Sequence, residues 1–215
     1  MRRAVVVLLL MSGGFASAAM ADIYAPDPWR LGPPTRLDVE RRWWLEIGPV
    51  FPDESGQTHL WQTGFDLAGG IEFPVTRSDG LGLRVRSGIL PLRGTLSGDT
   101  LSGESWTLYS LTVAGQHRIA LWRNSPSVRV LTGIEMGGAS MRFGKVNHRA
   151  SSFVRTDPAR IQNGTIFGLG AGLEVAPEHA IGGFAKLGFD WFWGEGSYTW
   201  RSIAAGVTFP IQPHR

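Results

Sequence analysis

Eight segments in which apolar residues alternate with small or polar residues lie between Trp43 and Phe209. Alternation with a period of two is typical of a β-strand whose two faces meet different surroundings. A lone strand cannot satisfy its backbone polar groups in hydrocarbon, so only helices and closed barrels cross a lipid bilayer. After residue 21 no apolar run reaches the length of about 20 residues that a spanning helix needs. The pattern therefore predicts an all-β fold, an eight-stranded antiparallel up-and-down transmembrane β-barrel.

The predicted strands cover approximately residues 43–51, 61–75, 81–89, 106–121, 128–136, 167–175, 181–193 and 202–209. Short turns at 77–80, 123–126 and 177–180 follow the second, fourth and sixth strands, and the other links are mostly longer, the longest from about 147 to 163. Outer-membrane barrels have short periplasmic turns and longer outer loops, so both termini are expected in the periplasm. After the fifth strand the alternation changes phase, which predicts a β-bulge at Gly137–Gly138.

The first 21 residues have the composition of a secretory signal peptide. Arg2 and Arg3 precede an apolar run, and residues 19–21 and 16–18 offer alternative cleavage sites. Residues 22–41 hold four prolines and predict an extended periplasmic segment. The barrel is then expected over residues 42–211, with a C-terminal tail at 212–215. The formal charge of +3 includes the two leader arginines, so the nearly neutral mature chain gives no indication of a nucleic-acid partner.

Eleven charged residues share the face opposite the apolar one, which we expect to line the lumen. They are Glu46, Asp66, Glu72, Arg84, Arg86, Arg118, Arg129, Glu135, Glu174, Lys186 and Asp190. The interior of an eight-stranded barrel is just wide enough for side chains to fill it. Because an unpaired buried charge is costly, a structural network of ion pairs is expected, and a gated ion path is the alternative. The turn positions place Glu72 opposite Arg84, and Arg118 opposite Arg129.

Tryptophan is abundant, with nine residues. Amphipathic rings favour both membrane interfaces, which predicts two aromatic belts. The expected periplasmic belt contains Trp43, Trp44 and Trp122, and the expected outer belt contains Trp61, Trp106, Trp191, Trp193 and Trp200.

The strand count, the turn asymmetry and the final strand Ser202–Phe209 together resemble the eight-stranded outer-membrane proteins of the OmpA-transmembrane-domain and OmpX kind. The resemblance covers the leader and residues 43–209. It implies a bacterial outer-membrane protein in contact with lipid, including lipopolysaccharide, and Phe209 as the terminal signal that the barrel-assembly machinery reads. The chain departs from this pattern in its tail, residues 210–215, where the family usually stops at the aromatic residue. A monomer is expected.

The sequence indicates no catalytic residue, cofactor or metal site. His117 lies on the apolar face near a periplasmic turn without a serine beside it, whereas a lipid-modifying hydrolase needs a histidine, a serine and an acidic partner together. The basic residues Arg149, Arg155 and Arg160 of the longest loop would hold lipopolysaccharide phosphates or a polyanionic partner, or only keep the loop soluble.

We therefore expect a non-enzymatic barrel with a structural or surface-interaction role. Three alternatives stay open at this point. They are an outer-membrane lipid-modifying enzyme, a narrow ion or solute pore, and a soluble exported barrel of the lipocalin type. The lipocalin type would turn its apolar face inward and its charges toward water.

Overall fold

A computed structural model of the chain describes residues 41–53, 60–76, 78–96, 99–122, 125–149, 154–176 and 180–211. The predicted signal peptide, the proline-rich segment up to residue 40 and the tail at 212–215 lie outside the described residues. The strands are β1 (Arg41–Pro52), β2 (Gly64–Pro74), β3 (Asp79–Leu90), β4 (Thr95–Leu96), β5 (Asp99–Gly103), β6 (Trp106–Trp122), β7 (Ser125–Phe143), β8 (Val146–Arg149), β9 (Val154–Asp157), β10 (Arg160–Val175), β11 (Gly182–Trp193) and β12 (Ser197–Ile211). In the described ranges, no helix is long and apolar enough to cross a membrane.

Eight of these strands close into one barrel in the order β1-β12-β11-β10-β7-β6-β3-β2. Every neighbouring pair is antiparallel, and β1 pairs with β12 to complete the ring. Closure pairs the backbone groups that an edge strand would leave exposed. The predicted eight-stranded antiparallel up-and-down barrel is thus confirmed. We call the end that carries Arg41 and Ile211 the terminal end, and the opposite end the loop end.

Burial alternates residue by residue along the barrel strands, as β3 illustrates. Its odd-numbered residues Leu83 and Val85 are 49% and 60% exposed, whereas the even-numbered Arg84 and Arg86 are buried. An apolar exterior around a polar interior is the arrangement that suits a barrel in lipid. The lipocalin-type alternative required the reverse arrangement, and the barrel does not have it.

Strand β7 keeps one phase from Val128 to Phe143. It pairs with β10 without interruption from Val128 to Phe143, so the prediction of a bulge at Gly137–Gly138 is wrong. The register shift lies near the start of β7, where the pairs Trp122–Ser125 and Ala120–Arg129 are two residues apart on β6 and four apart on β7. Met141 and Phe143 have the same parity as Glu135 and also point inward. The lumen is charged around Glu135 and becomes apolar toward the loop end, which is why the alternation seemed to change phase.

A second antiparallel sheet of four strands lies at the loop end, in the order β4-β5-β8-β9, and we call it the loop sheet. Strand β5 pairs with β8, so the link between β3 and β6 is joined to the link between β7 and β10. Strands β8 and β9 also pair with each other. Much of the long loop predicted at 147–163 is therefore regular β-structure.

Candidate functional site

The inward charges nearest the terminal end, which we call the terminal layer, centre on Arg118 of β6. Its Nη1 and Nη2 donate to the two oxygens of Glu72 at 2.5 and 2.7 Å, and its Nε donates to Glu174 Oε2 at 2.7 Å. Arg42 Nη1 lies 3.6 Å from Glu174 Oε1, and Arg129 lies opposite Glu174 in register. Two-pronged guanidinium–carboxylate contacts are among the stronger charged hydrogen bonds, so this layer ties four strands across the lumen.

The next layer toward the loop end, which we call the middle layer, contains three cations and four carboxylates. They are Arg84, Arg86, Lys186, Glu46, Asp66, Glu135 and Asp190. Arg84 donates to Glu46 and to Glu135.

In the same layer Arg86 donates to Asp66, and its Nη1 donates to Asp190 Oδ2 at 2.8 Å. Lys186 Nζ lies 2.7 Å from Glu46 Oε2. Because each arginine holds carboxylates from two different strands, the layer cross-links the barrel wall instead of pairing neighbours only.

The structure therefore brings ten of the eleven predicted lumen charges into ion pairs with one another and places Arg129 opposite Glu174. Arg42 belongs to the same set, and the sequence analysis missed it. Arg42 is an even-numbered residue of β1 like Glu46, whereas the outward Trp43 is odd-numbered. The period of two therefore already indicated that Arg42 faces the lumen.

The expected cross-strand partners were displaced along the strands. Arg84 lies opposite Gly70 rather than Glu72, and Arg118 lies opposite Leu131 rather than Arg129. Each predicted turn centre is one residue away from the observed one, which moves the register by two residues. A shift by two keeps every side chain on its own face, so the inward assignment survives while the pairing changes.

Large rings close the lumen at the loop end, and we call them the aromatic cap. The cap consists of Trp61, Trp106, Phe143, Phe192, Tyr198 and Trp200. Trp106 stacks on Phe143 with ring centroids 5.4 Å apart, and it meets Trp200 edge to face at 6.0 Å. Leu101 of β5 and Val146 of β8 belong to the same buried cluster, so the loop sheet packs directly on the cap.

Four of the tryptophans predicted in the membrane belts are in fact buried inside. Trp61, Trp106 and Trp200 are 2%, 1% and 0% exposed and lie in the aromatic cap. Trp44 lies in the lumen, with the Arg84 guanidinium carbon 5.8 Å and Lys186 Nζ 5.7 Å from its ring. Residue type and height along the barrel suggested a belt, but the strand parity directs these rings inward.

Three of the tryptophans assigned to the predicted belts lie on the outward face, which is the position that a belt residue needs. Trp43 and Trp193 are 52% and 43% exposed, and Trp191 packs against Phe189 with ring centroids 4.3 Å apart. The ring centroid of Phe167 lies 5.6 Å from that of Trp191, so Phe167 extends this row of rings. The side chain of Trp122 lies outside the described residues.

The basic loop residues are distributed over the loop sheet and the start of β10. Arg155 Nε donates to Asp157 Oδ1 at 3.0 Å, and His148 Nε2 lies 3.1 Å from Asp157 Oδ2. The guanidinium carbon of Arg160 lies 4.8 Å from the centre of the Phe143 ring. Arg149 is exposed on β8.

The last barrel strand continues beyond Phe209. Phe209 is 39% exposed on the outward face and pairs with Trp43, while Pro210 and Ile211 still pair with β1. The first two residues of the tail that departs from the family pattern are thus part of the barrel wall.

His117 and Asp79 form a pair at the terminal end. His117 Nδ1 lies 2.7 Å from Asp79 Oδ1, and Asp79 Oδ2 accepts a hydrogen bond from Thr76 Oγ1 at 2.6 Å. Among the residues that the structure describes, no group of three or more His, Cys, Asp and Glu side chains is placed to hold a metal ion.

No known protein-family model matches the chain, and no curated protein sequence matches it. Among solved structures, Neisserial surface protein A (NspA) matches with a TM-score of 0.53 at 12% identity over 80% of this chain and 97% of that one. Ail, the attachment invasion locus protein of Yersinia pestis, matches with a TM-score of 0.47 at 16% identity over 80% and 99%. The outer membrane enzyme PagL matches with a TM-score of 0.42 at 13% identity over 79% and 99%. The chain has the eight-stranded outer-membrane β-barrel fold, and at these identities the likeness shows the fold alone.

Proposed function

We propose that the protein is a non-enzymatic integral barrel of the bacterial outer membrane, with a closed lumen and a structural or surface-interaction role. The observation that carries this proposal is the combination of an apolar exterior with a lumen that side chains fill. The apolar exterior supports a position in lipid. The filled lumen supports the absence of an open channel.

The filled lumen supports the absence of conduction. The terminal layer, the middle layer and the aromatic cap follow one another along the barrel axis. The gap beside Arg84, Glu135, Lys186 and Asp190 measures only about 40 Å³, which is room for roughly one or two water molecules. A narrow pore would require these ion pairs to separate, and separating buried charges costs several kcal/mol.

The exterior supports a position in lipid. Half-exposed leucine, isoleucine, valine or phenylalanine side chains occur on seven of the eight barrel strands, and β7 exposes Met136 at 49%. An exposed apolar surface that surrounds the whole molecule is far larger than the few hundred Å² that a soluble monomer exposes in one patch. The outward rings of Trp43 and Trp193 lie toward opposite ends of the barrel, as interface residues do.

The unequal connections support an orientation in which both termini are periplasmic and the loop sheet lies outside the cell. Outer-membrane barrels combine short periplasmic turns with longer outer loops. In that orientation Arg149, Arg155 and Arg160 face lipopolysaccharide phosphates or another polyanion, and Phe209 acts in recognition by the barrel-assembly machinery. The same barrel surface, covered by lipid all round, is consistent with a monomer.

A lipid-modifying enzyme is the less favoured candidate. The His117–Asp79 pair lies at the terminal end, whereas an enzyme acting on lipopolysaccharide needs its histidine and nucleophile in the outer leaflet. The contact of His117 Nδ1 with the Asp79 carboxylate anchors the turn between β2 and β3.

The test is fractionation of cells that express the full-length chain, followed by gel electrophoresis with and without boiling. The proposal expects the protein in the outer-membrane fraction and a faster-running band in the unboiled sample, because a closed barrel stays folded in detergent. A soluble periplasmic protein with a single mobility would overturn the proposal. Vesicles containing the folded protein should in addition show no ion flux above that of empty vesicles.

Orientation can be tested separately because the chain contains no cysteine. We expect a membrane-impermeant maleimide to label Val154→Cys on intact cells and Val75→Cys only after the outer membrane is permeabilised. The two valines make a matched pair, being 71% and 61% exposed at the loop end and the terminal end. Labelling of Val75→Cys alone on intact cells would reverse the orientation.

A further inference from the structure

A cavity of about 240 Å³ opens between the aromatic cap and the loop sheet. Its apolar wall includes Leu60, Trp61, Phe143 and Val146, and the loop sheet and the start of β10 add Arg155, Asp157 and Arg160. Trp61, Phe143 and Val146 are almost completely buried, so the floor of the cavity is a fixed part of the packed cluster. The lumen charges have no part in this site.

Two guanidinium groups and one carboxylate border the cavity. Asp157 is already engaged by Arg155 and His148, which fixes the position of its carboxylate. Each guanidinium carries five N–H donors, and Arg155 Nε uses one of its five on Asp157. The lining side chains Arg155, Arg160 and Asp157 together carry one net positive charge, which favours an anionic ligand in a concave site.

The carboxylate of Asp157 adds a polar requirement to the apolar floor. Trp61 contributes only a small part of its ring to that floor, because it is 2% exposed and its buried Nε1–H is closed off from the cavity. A ligand that donates hydrogen bonds to Asp157 would be stabilised, because a carboxylate accepts several of them. A hydrocarbon chain has no such donor, whereas a sugar has several hydroxyl groups.

The volume limits the size of the ligand. A cavity of about 240 Å³ corresponds to roughly eight water molecules in the liquid and is smaller than most pockets for drug-sized compounds. It therefore accommodates one sugar unit and not a longer segment of a polymer.

We propose that this cavity binds a single acidic sugar unit, with its carboxylate or phosphate at Arg155 and Arg160 and its ring against Trp61 and Phe143. Asp157 then accepts hydrogen bonds from the sugar hydroxyl groups. The inference rests on the proposed function, which places the cavity on the outside of the cell, where free sugars and the ends of surface polysaccharides are both accessible.

The experiment is isothermal titration of the purified, folded full-length barrel in detergent with glucuronate and with glucose 6-phosphate. Glucose and inorganic phosphate are the controls, because each carries only half of the proposed recognition. We expect saturable binding of both sugar acids and at least tenfold weaker binding of both controls. An absence of saturable binding, or equal binding of inorganic phosphate, would overturn the proposal.

Variants locate the site. Arg155→Gln and Arg160→Gln should each weaken binding by about tenfold or more, because a hydrogen bond to a charged group is lost. Arg149→Gln is the matched control, since Arg149 is an exposed arginine of the same sheet that does not line the cavity. Equal loss in all three variants would indicate only general attraction of anions and would refute the site.

Two further measurements separate the parts of the inference. Trp61→Phe keeps an aromatic floor and removes only an N–H that is closed off from the cavity, so we expect unchanged binding and an unchanged heat-modifiable mobility. Because the titration uses purified barrel in detergent, it does not depend on orientation, so a failure to bind is distinguishable from a failure of the proposed location. Competition by an oligosaccharide that ends in glucuronate would identify chain ends as a source of the ligand, and lack of competition would restrict the ligand to the free sugar.

Discussion

Replacement of Arg86 by methionine tests whether the middle layer holds the barrel together. Arg86 is 1% exposed and donates to Asp66 and Asp190, which are 2% and 3% exposed. The substitution leaves two buried carboxylates without this cation. Breaking a buried ion pair in this way costs about 3–5 kcal/mol. That free energy corresponds to a loss of roughly 150-fold to 5,000-fold in the folding equilibrium constant.

Arg142→Met is the matched control on the surface. Arg142 Nη2 lies 3.2 Å from Glu104 Oε2, but both side chains are more than half exposed. Exposed pairs of this kind contribute at most about 1 kcal/mol. The two arginines thus make ion pairs of similar type and differ in burial.

The assay is equilibrium unfolding by urea in lipid vesicles, followed by tryptophan fluorescence and by gel mobility without boiling. A triple variant, Asp66→Asn, Arg86→Met and Asp190→Asn, removes two negative charges and one positive charge from the middle layer. It leaves two cations, Arg84 and Lys186, with two carboxylates, so we expect it to recover most of the lost stability. The reasoning is refuted if Arg86→Met destabilises the barrel no more than Arg142→Met, or if the triple variant is the least stable of the three.

Three other substitutions test separate parts of the account. Trp200→Ala should destabilise the barrel by about 3–5 kcal/mol in the same unfolding assay. Vesicles that contain this variant should still show no ion flux, because the charged layers remain. An ion flux would mean that the aromatic cap alone seals the lumen. Gly48→Ala should lower the free energy of unfolding by about 1–3 kcal/mol, because the added Cβ would lie 1.8 Å from a backbone oxygen of β12. The Cβ of Gly138→Ala meets nothing within 4 Å, so this variant should be as stable as the original protein. Equal stability of the two variants would contradict the close packing at Gly48. Phe209→Ala should reduce the amount of folded barrel in outer-membrane fractions more than Phe65→Ala, which removes another outward ring. Equal yields would argue against a terminal signal.

Strand number, topology and the inward face followed from the period of two, because that period is a direct consequence of strand geometry. Residues such as Arg84 and Glu174 were assigned to the lumen for this reason. The exact partners were not accessible, because a turn misplaced by one residue moves the register by two. Pairing such as that of Arg118 with Glu72 also joins strands that are not neighbours, which no local pattern specifies.

The tryptophans show where residue type misleads. Trp106 and Trp200 share their parity with the inward residues Thr112 and Ser202, so consistent use of the alternation would have placed them in the lumen. The apparent bulge after Met136 had the same origin, since an apolar cap was mistaken for a change of face. The loop sheet had no comparable signal, because strands of five and four residues that pair across some 45 residues depend on tertiary packing.

The most direct test of the central claim is a spin-label scan along β3, in which each residue from 81 to 90 is replaced in turn by a labelled cysteine in the vesicle-embedded protein. Oxygen collects in hydrocarbon, so we expect high oxygen accessibility at Leu81, Leu83, Val85 and Ile89 and low accessibility at the even positions between them. An alternation of the opposite phase, or contact of the odd positions with a water-soluble relaxant, would contradict a lipid-facing apolar exterior around a filled, charged lumen.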